Sequence, residues 1–216
     1  MVWGSLGLTM AAIVAAFIVQ KARDARQPAD LIQSTDAPSR PGGLLPVLFQ
    51  VPDFALTNQT SRTVTRSDLR GQAWLADIIF TRCAGPCPDM TRRMADLQAA
   101  IPTNQPVTFV TLTTDPEHDS PAVLRTYSDR FGAKHERWHF LTGTKKQIAD
   151  LAGRGLKLTA LEKQKEQQEN PDDLFIHSTL FVLVDQQGRA RAVFESDDPG
   201  MKPKVLRAIA QLLHER

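Results

Sequence analysis

Residues 74–88 read WLADIIFTRCAGPCP, and this stretch decides the fold. Trp74 to Phe80 is a mostly apolar run of the length and composition of a buried strand. From Pro88 to Ala100, Met90, Met94 and Leu97 recur at helical spacing, with Pro88 in the first turn. The loop between them carries Cys83 and Cys87, the only two cysteines in the chain. A thiol at such a strand-to-helix turn feels the positive end of the helix dipole, which favours its thiolate. Thiolates are good nucleophiles and good ligands for soft metals.

The spacing is C-x-x-x-C rather than C-x-x-C. The shorter loop suits a dithiol–disulfide switch, whereas the extra residue lets both sulfurs face one ion. Two thiolates alone suit linear Cu(I). A third ligand would make the site trigonal, and an imidazole nitrogen would extend its range to Cu(II). Three candidate ligands do not make a closed structural zinc site. A bridge across so short a loop would remove little entropy from the unfolded chain, so a purely structural disulfide has little to recommend it.

Working outward, Asp53–Leu56 and Thr63–Thr65 are short strand candidates, and VTFVTL at 107–112 reads as a strand. Ser120 can cap a helix that has Pro121 at its first position and Val123, Leu124, Tyr127 and Phe131 on its inner face; Gly132 ends it. Trp138–Leu141 is a short strand and Lys145–Leu151 a helix. The polar stretch Leu161–Asn170 reads as an exposed loop or a solvated helix. Thr179–Val184 is a buried strand, Asp185–Gly188 a turn, Ala190–Phe194 its hairpin partner and Val205–Leu213 a closing amphipathic helix. Strands alternating with helices give an α/β fold, a central mixed sheet flanked by helices. A dithiol at a strand-to-helix turn is where thioredoxin-like domains place one.

The chain has 216 residues, 42% hydrophobic and 23% charged, a globular composition of one ordinary domain plus tails. A net charge of +2 gives no concentrated basic face and hence no nucleic-acid partner. Two cysteines exclude a disulfide-stapled scaffold. No charge occurs from Val2 to Val19, so residues 1–20 are expected to form an N-terminal membrane anchor; a cleaved signal peptide and a buried core helix are the alternatives. Lys21, Arg23 and Arg26 follow this span, and the positive-inside rule alone would leave the domain in the cytoplasm. Residues 21–46, with Pro28, Pro38, Pro41, Gly42, Gly43 and Pro46, read as a linker, and the domain is expected over 47–216.

Five histidines are available as a third ligand. His118 sits in a polar acidic loop, His135 and His139 flank the middle of the domain, and His214 is near the terminus. His177 lies just before the strand TLFVLV, in the loop that faces the dithiol in thioredoxin-like folds. Its setting alone leaves ligand and ordinary residue equally open.

Four segments, FTRCAGPCP, TTDPEHDSP, FLTG and IHSTLFVLVDQQGRA, stand in the order found in the Sco/SenC family, which the domain resembles from about Val47 to its C-terminus. The resemblance implies a thioredoxin-like fold and a mononuclear copper site, Cu(I) or Cu(II), with Cys83, Cys87 and His177 as ligands. It implies a metallochaperone, not an enzyme, that delivers copper to a cuproprotein, the dinuclear copper centre of cytochrome c oxidase subunit II. The alternative function is a thiol–disulfide oxidoreductase using Cys83 and Cys87 as its redox pair to reduce a copper-protein client. A peroxidase lacks a matching constellation. The family's N-terminal anchor and exported domain imply a location on the outer side of the cell membrane, against the flanking charges.

The chain departs from the family in two places. Ala84 stands where many members have Pro after the first cysteine, and Ile176 where several have an acidic residue that would orient the imidazole. Asp115 and Asp119 read first as turn and capping residues, second as supports for the site from a neighbouring loop. Arg82 could lower the thiol pKa values or point to solvent.

Overall fold

The computed structural model describes residues 43–164, 166, 168 and 174–215. The expected anchor over 1–20 and the linker up to residue 42 lie outside these residues. No helix among the described residues is long and apolar enough to cross a membrane.

The strands are β1 (Phe49–Gln50), β2 (Ala55–Asn58), β3 (Thr63–Thr65), β4 (Ala73–Ile79), β5 (Val107–Thr113), β6 (Trp138–Thr142), β7 (Ala160–Glu162), β8 (Phe175–His177), β9 (Leu180–Val184) and β10 (Arg189–Glu195). The α-helices are α1 (Cys87–Ala100), α2 (Pro121–Arg130), α3 (Lys145–Ala149) and α4 (Met201–His214). Eight strands form one mixed sheet in the order β1-β10-β9-β4-β5-β6-β2-β3; β7 and β8 form a separate two-stranded arm. β4, β5 and β6 run parallel, joined through α1 and α2, while β9 pairs antiparallel with β4 on its other side. This is the expected α/β architecture.

Central strands buried on both faces read as continuous apolar runs, and the alternation along β4 shows where each face goes. Ala73, Leu75 and Ile79 join Met90, Met94 and Leu97 of α1, Tyr127 of α2 and Val205 and Ile209 of α4. Trp74, Ala76 and Ile78 join Leu56, Ile148 and Leu156 on the opposite face. Asp77 falls between Ala76 and Ile78 in β4, so the period of two directs its side chain to the α1 face.

Three differences from the sequence reading have clear causes. Leu161 and Glu162, expected in an exposed loop or a solvated helix, form a strand because they pair with Ile176 and Phe175. That pairing is long-range and leaves no periodic mark on so short a segment. The helix begun at Lys145, with a Thr144–Gln147 capping box, continues as a π-helix over Asp150–Leu156 and ends at Lys157 in the left-handed region, φ 58°. The closing helix begins at Met201, four residues before Val205, with Pro203 tolerated in its first turn. The Asp185–Gly188 turn is present: Gly188 takes φ 78°, and the Asp185 carboxylate accepts from the Gln187 and Arg189 N–H groups at 3.0 and 2.9 Å.

Candidate metal centre

β4 ends at Ile79, and the chain turns through Phe80–Pro86 before entering α1 at Cys87. Pro86 occupies the N-cap without a side-chain cap, so the first N–H groups of α1 are left to face the loop. Cys87 sits in the first turn, fully buried, and Cys83 is half-buried at the rim. Both thiols are free.

The β7–β8 arm brings in the third group. His177 ends β8, and its Nε2 lies 3.1 Å from the Cys87 sulfur. The two sulfurs and one imidazole nitrogen all lie within 4.8 Å of one another, the separation at which one ion can be held by all three. His177 Nδ1 lies 3.1 Å from the Ser178 carbonyl oxygen, which can only accept. That contact places the proton on Nδ1 and leaves the Nε2 lone pair facing the sulfurs. The orienting contact that an acidic residue at position 176 would supply is thus made by the backbone. Phe80 walls the ring edge-on, 5.9 Å between centroids, and makes a second edge-to-face contact with Phe175 at 5.1 Å. His118, His135, His139 and His214 take no part in this cluster.

The two thiols are held at opposite extremes. A hydrogen bond from the Cys87 thiol draws Cys83 down to about 4, against the opposing effect of burial; the Cys87 and Gly85 N–H groups add to the lowering. Cys87 is pushed far up by burial and by the neighbouring Cys83 charge. The metal-free pair therefore carries one proton, on Cys87, and one negative charge, on Cys83. Alkylation should show this: Cys83 should be modified at a rate that stays level from about pH 8 down to about pH 5 and falls only near pH 4, with Cys87 left protected. Peptide mass mapping after a short pulse of iodoacetamide measures it. Equal labelling of the two cysteines would contradict the assignment.

The neighbouring loop braces the site. Asp119, fully buried, accepts from the Thr81 N–H at 3.1 Å and from the Thr81 and Thr113 hydroxyls at 2.5 Å each. Asp115 pairs with Arg82 at 2.7 Å. The second of the two readings from sequence is therefore the one the geometry favours for both aspartates, and Arg82 is turned to Asp115. Sequence alone could not separate these readings, because a turn-forming Asp and a loop-bracing Asp look alike until the two loops are adjacent.

One residue near the site escaped the sequence reading. Asp77 is fully buried, and neither carboxylate oxygen has a hydrogen-bond partner. Burial pushes it up from 3.8 to about 7. Its signal was legible: a lone acid inside WLADIIF is the exception in an apolar run.

The SCO1/SenC family pattern matches residues 48–214. A SCO1 protein homolog from Bacillus subtilis is 34% identical over 146 residues, covering 67% of this chain and 72% of that protein. The structure of BsSco, a member of the Sco family of cytochrome c oxidase assembly proteins in which a disulfide switch was identified, is 27% identical with a TM-score of 0.67, covering 78% of this chain and 95% of that one. The copper-bound ScoI of Bradyrhizobium japonicum shares the fold at 22% identity and a TM-score of 0.64, over 76% and 99% of the two chains.

Proposed function

The chain belongs to the SCO1/SenC family, and from that premise we propose that it binds copper through Cys83, Cys87 and His177 and hands it to a cuproprotein. The observation that carries this reading is the convergence of two sulfurs and one imidazole nitrogen within 4.8 Å. The donor set suits the metal: thiolates favour Cu(I), and an imidazole beside them accommodates Cu(II). The copper-bound ScoI of Bradyrhizobium japonicum, which shares the fold, supports it.

As a metallochaperone the protein would treat copper as cargo. Cys83 at the rim is the ligand an incoming partner thiolate can reach first, while Cys87 and His177 hold the ion from below. Transfer would pass through shared ligands without free ion. The client we propose is the dinuclear copper centre of cytochrome c oxidase subunit II, in keeping with the assembly role of the BsSco family. We also propose that residues 1–20 anchor the protein in the cell membrane, that 21–46 are its tether, and that the domain from residue 47 stands on the exported side.

A second reading rests on the asymmetry of the two thiols. Cys83, ionised and half-exposed, is equipped to attack a client disulfide, releasing one client thiolate; that thiolate takes up the Cys87 proton, and Cys87 then attacks the Cys83 sulfur, forming the Cys83–Cys87 bond and freeing the second client thiolate. His177 separates the two readings, being a ligand in the first and dispensable in the second. An anaerobic titration of the reduced chain with Cu(I) against a competing chelator is the test, wild type beside His177→Ala. One tightly held copper per chain, weakened by about tenfold or more in the variant, is expected. No tight copper alongside intact disulfide exchange would leave the thiol reading in its place.

A further inference from the structure

Beside the cysteine loop lies an open cleft of about 470 Å³ that no part of the copper reading uses. Thr81 and Arg82 reach it from the cysteine loop, His118 from the loop before α2, and Val123, Thr126 and Arg130 from α2 itself. Among the described residues, none that lines it is acidic. Arg82 is followed directly by Cys83, the ligand at the rim, and consecutive Cα atoms stand about 3.8 Å apart. The cleft therefore opens within a residue of the metal centre.

The carboxylates on the flanking elements are already engaged. Asp115 pairs with Arg82 at 2.7 Å, Glu117 with Lys145 at 3.1 Å, and Asp129 with Arg125 at 3.4 Å and His135 Nε2 at 3.0 Å. Asp119 is fully buried and turned to Thr81 and Thr113. Arg82 gives Asp115 one of its five N–H donors and keeps a side chain that is 41% exposed. Arg130 has no carboxylate partner among the described residues; its guanidinium lies over the Tyr127 ring, 5.2 Å from the centroid. Two guanidinium groups thus line one cleft with donors to spare, and a carboxylate matches them in charge and geometry.

The hydroxyls indicate what accompanies that carboxylate. Thr81 Oγ1 donates to Asp119 at 2.5 Å, and Thr126 Oγ1 to the Ala122 carbonyl at 3.1 Å. A hydroxyl has one proton, so both oxygens line the cleft as acceptors. They suit N–H groups beside the carboxylate, which a polypeptide supplies along its backbone. Val123 offers apolar surface to the stem of an acidic side chain.

We propose that this cleft docks an acidic segment of the client protein, seating an Asp or Glu side chain on Arg82 and Arg130 so that a cysteine one or two residues away meets Cys83. It rests on Cys83 being the atom a client thiol reaches first, a point the copper and disulfide readings share. Exposed ion pairs are individually modest, so such docking is reversible, as delivery followed by release requires.

The test is an amide NMR titration of the isotope-labelled full chain, reduced and metal-free in detergent micelles. The probes are the capped pentapeptides Gly-Ser-Gly-Glu-Gly and Gly-Glu-Gly-Ser-Gly, each beside its Gln counterpart; serine stands in for the client cysteine, so no thiol chemistry occurs. At least one Glu peptide should shift the amides of Arg82, Val123 and Arg130, and its Gln counterpart should bind about tenfold more weakly. Arg130→Gln should weaken the Glu peptide about fivefold. Arg125→Gln, on the same helix but outside the cleft, should leave it within about twofold, since screening confines the effect to near neighbours. With the rigid nitroxide amino acid TOAC in place of serine, the bound peptide should broaden the amides of Ala84 and Gly85. Shifts that spare the cleft, equal binding of the Glu and Gln peptides, equal losses in the two arginine variants, or inorganic phosphate binding as tightly as the peptide would each overturn the proposal. Neither copper nor a disulfide takes part, so the Cu(I) titration can fail with this result intact, and failure here leaves that titration untouched.

Discussion

Cys87→Ser is expected to lower the affinity for Cu(I) by more than about a thousandfold, beyond the roughly 10–100-fold that outer-shell partners of a metal command. The serine hydroxyl fills nearly the same space but is a hard donor that keeps its proton near neutral pH, so a soft ion loses one of its two thiolates. The fold should tolerate the change, because Cys87 contributes a small side chain to a core built mainly by Met90, Met94, Leu97 and the sheet. A thermal melt of the variant checks that. Cys83→Ser should lose as much, from the opposite end of the site.

The pH dependence of loading carries a further mark of the arrangement. Cys83 is already ionised above about pH 4, so loading Cu(I) displaces only the Cys87 proton. Apparent affinity should therefore fall about tenfold for each unit of acidification near neutrality. Competition titrations at two pH values suffice. A Cys87→Ser variant within about tenfold of wild type would show that this sulfur is not a ligand.

Asp77→Leu is expected to stabilise the protein at pH 8 by about 4 kcal/mol and to leave it little changed near pH 4. The sign follows from linkage. The folded state holds the Asp77 proton up to about pH 7, whereas the unfolded chain releases it near 3.8. Between these values the native state binds more protons than the unfolded one, so raising the pH through this window removes stability. At ~1.4 kcal/mol per pH unit the window amounts to about 4 kcal/mol. Leucine has the same branched heavy-atom skeleton, with larger methyl groups, and no charge to desolvate, so the variant loses this dependence. The difference between wild type and variant isolates Asp77 from every other carboxylate, because the two chains share them all. Urea unfolding at pH 4, 6 and 8 measures it, and a parallel pair of curves would reject the assignment.

Much of this was written in local sequence. The strand–loop–helix of 74–100 follows from an apolar run, a proline and a helical repeat, all short-range features that the chain can express within one element. The central strands β4, β5 and β9 follow for the same reason, since burial on both faces demands continuous apolar residues. The two cysteines announced themselves by spacing. His177 had an address, the segment before TLFVLV, but nothing local made it more than an ordinary histidine; the family resemblance singled it out.

The rest depended on partners far away in the chain. β7 and β8 are three residues each and exist only through each other, so no periodicity could mark them. The roles of Asp115 and Asp119 depended on which loop they would meet, and only folding sets Arg82 and Thr81 beside them. The tautomer of His177 was decided by the Ser178 carbonyl, and the inequality of the two thiols by which one is buried. Sequence by itself determined the element types, the sheet core and the kind of donor atoms, because those follow from side-chain chemistry and local period. Tertiary structure alone decided which donors converge, which thiol keeps its proton and that Asp77 has no partner, because distance and burial are properties of the packed chain.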